Sequence, residues 1–263
     1  MNAWPLDLGL CLSLREVILK RVPGVPSRLN RLVAQGKLDL SLLSAVEILR
    51  FPGRYRVLRG AAVGSRGPVG SVLLFGRISP EEMGGKRVLL PRDSSTSIAL
   101  LRLLFRRLWR KEPLFIPFPG PPSLEPMLER GEGALLIGDE ALRASLRRPD
   151  LVRADLGGVW HSWTGTPFVF SVFVLRKELV REDPGLPGRL EEHLGGAAER
   201  GMEALRPFLP ALARRFGISP GDLEDYLTLR VSYRFGPEER RGLALFFRLL
   251  REEGLILPAV AAG

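Results

Sequence analysis

From Arg87 onward, short apolar runs alternate with segments of helical spacing, a pattern that leaves little choice but a sheet with helices packed on it. Arg87–Leu90, Leu114–Phe118 and Ala134–Ile137 read as strands, and the stretches around Ile98–Trp109 and Leu124–Glu129 as helices. Such alternation predicts a parallel α/β lobe that binds ligands at the carboxyl ends of its strands. Two of those ends are polar, at Asp93–Ser97 and at Gly138-Asp139.

The first of these ends carries four consecutive hydroxyls, Ser94-Ser-Thr-Ser97, running into Ile98-Ala-Leu-Leu101. A helix start leaves N–H donors unpaired and carries partial positive charge, so it seats a carboxylate or phosphate well. One Ser or Thr is enough to cap a helix, and four shift the balance toward a ligand site at Ser95, Thr96 and Ser97. A similar arrangement occurs earlier, where an apolar strand, Leu38–Leu43, precedes Ser44-Ala-Val-Glu47, a capping-box pattern. Ser71 is the single polar side chain in Val69–Phe75; a buried hydroxyl needs a partner, so Ser71 bonds nearby backbone or faces a cavity. His161, between Trp160 and Ser162 in a glycine- and aromatic-rich segment read as a loop, suits a general base and a packing residue equally.

Around this middle section, Val25–Gly36 reads as a helix, Tyr55–Leu58 and Ala61–Val63 as strand pieces, and Phe168–Leu175 as a long apolar strand. The segment after Met1 leaves no room for an opening strand, so either the fold starts with a loop or the chain is short of its true beginning. Beyond Arg176 the chain turns helical and charged, with a break at Pro207 and a last amphipathic helix over Pro237–Glu253. The resulting expectation is two lobes joined by two crossing strands: lobe I from 1–76 and 173–263, lobe II from 77–172. Ser44, Ser71, Ser95–Ser97 and Asp139 then converge on the cleft between them, which suits a small carboxylated or phosphorylated compound.

The chain has 263 residues and a formal net charge of +10, with five lysines, so arginine makes up nearly all of its 39 basic residues. Scarce Asn and Gln beside abundant charge suit a thermophile, or equally an arginine-rich genome. The arginines are interspersed with acidic residues and no basic–aromatic patch appears, so no nucleic-acid partner is expected. Apolar runs are too short to span a bilayer. Met1–Ser13 lacks the basic leader of a secretory signal, which reads as a cytoplasmic protein without a membrane partner. A single cysteine, Cys11, and two distant histidines, His161 and His193, exclude an internal disulfide and a zinc spacing. No metal or cofactor is expected, and the oligomeric state is left open.

Taken in order, several short motifs resemble one family, the menaquinone-biosynthesis enzymes of the futalosine route. They are Asn2-Ala-Trp-Pro-Leu6, Gly36-Lys-Leu-Asp-Leu-Ser-Leu-Leu-Ser44, Gly67-Pro-Val-Gly-Ser-Val-Leu-Leu73, Ser94-Ser-Thr-Ser97, Leu135-Leu-Ile-Gly-Asp-Glu-Ala-Leu142, and Asp155-Leu-Gly with Trp160 and Thr164-Gly-Thr-Pro-Phe-Val-Phe170. The resemblance implies the two-lobed, type II periplasmic-binding-protein-like α/β fold. Of its two branches, the 1,4-dihydroxy-6-naphthoate synthases carry a histidine after the strand that here ends at Ile137. This chain has Gly138-Asp139-Glu140 there, and the resemblance favours the other branch, the chorismate dehydratases. Members of that branch place a strand and a Tyr-x-Asn turn ahead of the position of Asn2, so the first strand of lobe I is expected to be missing from the sequence.

The resemblance further implies chorismate, a dicarboxylate, as substrate, with catalysis by orientation and electrostatics and the substrate's own carboxylate as base. Asn2 and Ser71 then polarise the substrate carboxylate or leaving hydroxyl. Ser44, Ser95, Thr96 and Ser97 grip carboxylates, and Gly138 and Asp139 join them in binding substrate, Asp139 either bonding a hydroxyl or capping its helix. A non-catalytic small-anion-binding domain is the competing expectation.

Overall fold

The computed structural model describes residues 1–14, 20–24, 26–50, 53–92 and 94–255. Its strands are β1 Leu40–Ser44, β2 Tyr55–Ser65, β3 Val72–Gly76, β4 Arg87–Leu90, β5 Leu114–Pro117, β6 Gly133–Ile137, β7 Val152–Asp155, β8 Phe168–Arg176 and β9 Ser232–Phe235. They form two sheets, ordered β1-β8-β2-β9 and β5-β4-β6-β3-β7. In the first, every neighbouring pair is antiparallel. In the second, β4 runs parallel to β5 and β6, as the alternation predicts, whereas β3 is antiparallel to both β6 and β7. β3 is buried along its whole length, which explains why its sequence is a continuous apolar run rather than an alternating one.

Both sheets draw on both sides of the expected lobe boundaries. β3 belongs to the second sheet and β8 lies wholly in the first, so the chain crosses between Ser65 and Val72 and returns between Asp155 and Phe168. The return is packed around Trp160, which is fully buried. Its ring meets Phe168 of β8 at 5.3 Å and Phe246 of the last helix, Pro237–Glu252, at 5.8 Å, both edge-on. Edge-to-face pairs at these spacings add about 0.5–1.5 kcal/mol each beyond the burial of their surface.

Four local expectations are corrected. The segment after Met1 is a helix, Trp4–Ser13, with Pro5 in its first turn, where a missing N–H costs nothing. The glycine- and tryptophan-rich segment is also helical, Leu156–Thr164, because Asp155 caps it. Tyr55–Leu58 and Ala61–Val63 are one strand, β2, whose register shifts past Gly60. Ser44 forms no capping box: β1 continues through it, paired with Ser171, and Glu47 bonds Arg50 instead at 3.0 Å. Of the helix expected from Val25, the structure describes Pro26–Ala34, Val25 itself lying outside the described residues.

The helix Trp4–Ser13 crosses Ala197–Leu205 in near backbone contact. A Cβ on Gly9 would fall 1.7 Å from the Ala197 carbonyl oxygen, and one on Gly201 would fall 1.8 Å from that of Pro5. The reciprocal glycines fix the N-terminal helix, and with it the place of Asn2.

Candidate functional site

The expected site residues gather in two groups. Ser71 anchors the first. Its carbonyl accepts the Gly138 N–H at 2.7 Å, bringing the start of β3 onto the start of the helix Gly138–Arg147. Gly70 (φ 72°) and Gly138 (φ 61°) both sit in the left-handed region, which only glycine enters without strain. Next to Gly138, Asp139 lies in the first turn of that helix, where its charge favours the helix dipole. It makes no cap; its Oδ1 lies 3.7 Å from the Met1 nitrogen, so half-buried Asn2 stands beside this group. The Asn2 side chain has no hydrogen-bond partner among the described residues.

Thr96 anchors the second group. The helix Ser95–Leu104 starts after Ser94, whose side chain makes no cap, and no side chain among the described residues bonds its first N–H groups. Thr96 and Ser97 are buried and Ser95 half-buried. Thr96 Oγ1 accepts the N–H of Val46 at 3.2 Å, which places Ser44, two residues earlier at the end of β1, on the opposite wall. No hydrogen bond among the described residues joins this group to that of Ser71. Asp93 lies outside the described residues.

Sequence reasoning missed two residues that hold Ser71 in place. The Asp155 carboxylate accepts three main-chain N–H groups, from Val69 at 3.0 Å, Gly70 at 2.6 Å and Gly158 at 3.0 Å. It thereby ties the turn before Ser71 to the helix Leu156–Thr164. Burial pushes this carboxyl above its ordinary pKa, and main-chain donors, Gly157 among them, partly offset the rise. An Asp directly before Leu-Gly-Gly is a helix-start signal that the glycines obscured. The second residue, Tyr226, is fully buried and donates its hydroxyl to Ser71 Oγ at 2.9 Å. Burial raises the Tyr226 pKa well above its ordinary value; the Ser71 bond opposes this, and Asp139 and Asp155 add to it.

His161 is not among these groups. Its Nδ1 lies 3.2 Å from the Thr166 carbonyl oxygen, and it lines a separate cavity of about 560 Å³ with Trp109, Arg153 and Trp163. A second cavity, about 430 Å³, is lined by Arg66, Arg230, Tyr233 and Arg234. None of the expected site residues lines either one. Among the described residues no cluster of three His, Cys, Asp or Glu side chains is placed to hold a metal ion.

With this geometry in hand, comparison with known proteins is informative. The chain is 34% identical to the chorismate dehydratase of Thermus thermophilus over 241 residues, covering 86% of this chain and 84% of that one. It is 29% identical to the chorismate dehydratase of Campylobacter jejuni over 60% of this chain and 56% of that one. In fold it is similar to the periplasmic aliphatic sulphonate-binding protein SsuA of Escherichia coli (TM-score 0.67, 13% identity, 96% of this chain and 85% of that one). The alkanesulfonate-binding SsuA of Xanthomonas axonopodis, bound to MOPS, is similar too (TM-score 0.65, 16% identity, 98% and 92%). The two sheets and their crossings are thus those of a periplasmic-binding-protein-like fold. A family profile described as menaquinone biosynthesis matches residues 1–252, and the chain belongs to that family.

Proposed function

We propose that the protein is a chorismate dehydratase, a hydro-lyase that converts chorismate to 3-[(1-carboxyvinyl)oxy]benzoate and water in the futalosine route to menaquinone. The observation that carries this reading is the 34% identity to the Thermus chorismate dehydratase along most of both chains. Gly138-Asp139-Glu140 after β6, without a histidine, favours it over the naphthoate synthase branch. The lobes in this reading follow the two sheets, with the substrate between them.

The reaction removes the ring proton beside the enol ether and the neighbouring hydroxyl. The C–H electron pair enters the ring as the C–O bond breaks, and aromatisation drives the step. The enolpyruvyl carboxylate takes the ring proton and passes it to the departing hydroxyl, which leaves as water, so the carboxylate is regenerated. The protein's part is orientation and electrostatics. The uncapped start of the helix Ser95–Leu104, with the hydroxyls of Ser95, Thr96 and Ser97, faces one carboxylate, and Ser44 closes on it from the opposite wall. Ser71 and Asn2 polarise the reacting end, beside Gly138 and Asp139. Because Thr96 Oγ1 is bonded to the Val46 N–H, its grip on a carboxylate requires that bond to be exchanged when substrate enters. No helix of the described residues is long and apolar enough to cross a membrane, and the reading assigns the enzyme to the cytoplasm.

The test is incubation of the purified protein with chorismate, without cofactor, followed by product mass and ultraviolet spectrum. Loss of one water with an aromatic product is the expected result. Chorismate binding without turnover would instead mark a small-anion-binding domain.

A further inference from the structure

Ser71 is held from three sides. Asp155 fixes the two N–H groups before it, at Val69 and Gly70, and Gly138 holds its carbonyl at 2.7 Å. The third hold is the side chain of Tyr226. This tyrosine opens a five-residue π-turn, Tyr226–Arg230, that continues the helix Pro220–Asp225 and closes with Val231 N–H on the Tyr226 carbonyl at 3.1 Å. Wide turns of this kind occur preferentially at functional sites. The bond spans 155 residues of sequence, and both partners are buried, Ser71 2% exposed and Tyr226 not at all.

A serine hydroxyl has one proton to give and two lone pairs to receive. Here Tyr226 occupies a lone pair, and among the described residues nothing accepts the proton of Ser71. We propose that Tyr226 is a positioning residue for the dehydration. By donating to Ser71 Oγ it turns the serine proton toward the cleft and strengthens it as a donor to the substrate oxygen. A chain of two hydroxyls polarises in this direction, each donor sharpening the next. The direction is that of the bond itself, Tyr226 hydroxyl to Ser71 Oγ, and burial keeps the phenol protonated and so able to donate. The inference rests on the dehydratase reading, and it adds to that reading a residue from the C-terminal helices.

The experiment is steady-state kinetics with chorismate on the wild type, Tyr226→Phe, Ser71→Ala and the double variant. Phenylalanine keeps the ring in its pocket and removes only the donor. Tyr226→Phe should lower kcat roughly 10- to 100-fold with KM nearly unchanged, the size expected when a positioned donor is misaligned. The double variant should be no slower than Ser71→Ala, because Tyr226 acts only through Ser71. Wild-type kcat in Tyr226→Phe, or losses that multiply in the double variant, would overturn the inference and leave the dehydratase reading intact. No dehydration by the wild type would remove that reading and this inference together. Should Tyr226→Phe be recovered unfolded, Ser71→Ala and Ser71→Thr replace it. Threonine keeps a hydroxyl for Tyr226 and should retain most of the turnover that alanine loses; equal loss in both overturns the inference.

Discussion

Val46 donates its main-chain N–H to the Oγ1 of Thr96 at 3.2 Å, joining the turn after β1 to the helix start after β4. The two sheets therefore meet at the hydroxyl assigned to grip a carboxylate. Main chain occupies that hydroxyl here, and in the proposed function a substrate carboxylate takes its place.

Thr96→Val tests this exchange, since valine keeps the shape and loses the oxygen. A hydrogen bond to a charged group contributes about 1.5–3 kcal/mol, so KM for chorismate should rise roughly tenfold or more while the protein remains folded. An unchanged KM would take Thr96 out of the carboxylate grip.

Asp155 makes the fold sensitive to pH, with a definite sign. Burial raises its carboxyl pKa in the folded chain, so the folded state holds more protons than the unfolded state between the ordinary and the raised value. Its contribution to stability therefore falls as pH rises through that window. Asp155→Asn should remove this slope when unfolding is followed from about pH 4 to about pH 7. It should also lower stability by about 1–3 kcal/mol, because an amide presents one acceptor oxygen to three N–H donors. Persistence of the slope in the Asn variant would assign it to another group.

The reciprocal glycines give a packing prediction. In Gly201→Ala the new methyl would overlap the Pro5 carbonyl oxygen, for which 1.8 Å is available. Separating the two helices should cost about 1–3 kcal/mol or more, visible as a lower thermal midpoint. A midpoint equal to wild type would show that the helices separate freely.

His161 supplies the contrasting case. Its ring nitrogen faces the Thr166 carbonyl beside a cavity lined by none of the residues assigned to touch substrate, although Asp155 borders it. His161→Gln should retain wild-type turnover, and kcat should show no histidine-type inflection through neutral pH. Loss of turnover with a normal melting curve would make the base a protein side chain and end the substrate-assisted mechanism.

The parts legible in the sequence are those set by local pattern. β4, β5 and β6 stand out as apolar runs between polar turns, and the helix start at Ser95 as a cluster of hydroxyls. Patterns with two local outcomes misled. The segment after Met1 reads as a loop, yet Pro5 sits in a permissive first helical turn and Gly9 allows a close helix crossing. Ser44-Ala-Val-Glu47 matches a capping box, yet pairing with Ser171 keeps Ser44 in a strand. The link from Tyr226 to Ser71 has no local trace, because nothing near either residue specifies a partner 155 positions away.

The crossing of Gly9 with Gly201 also bears on the order of assembly. Asn2 leaves the ribosome well before the helix that fixes it, and that helix, Ala197–Leu205, lies beyond the whole of the second sheet. Contacts so distant in sequence form late, after the cost of closing the intervening loop has been met. The second sheet can therefore fold, with Ser95–Ser97 already presented, while the opposite wall is still incomplete. On the proposed site, a nascent chain holds only half of the residues until its C-terminal helices arrive, and competence is acquired in one late step rather than by degrees.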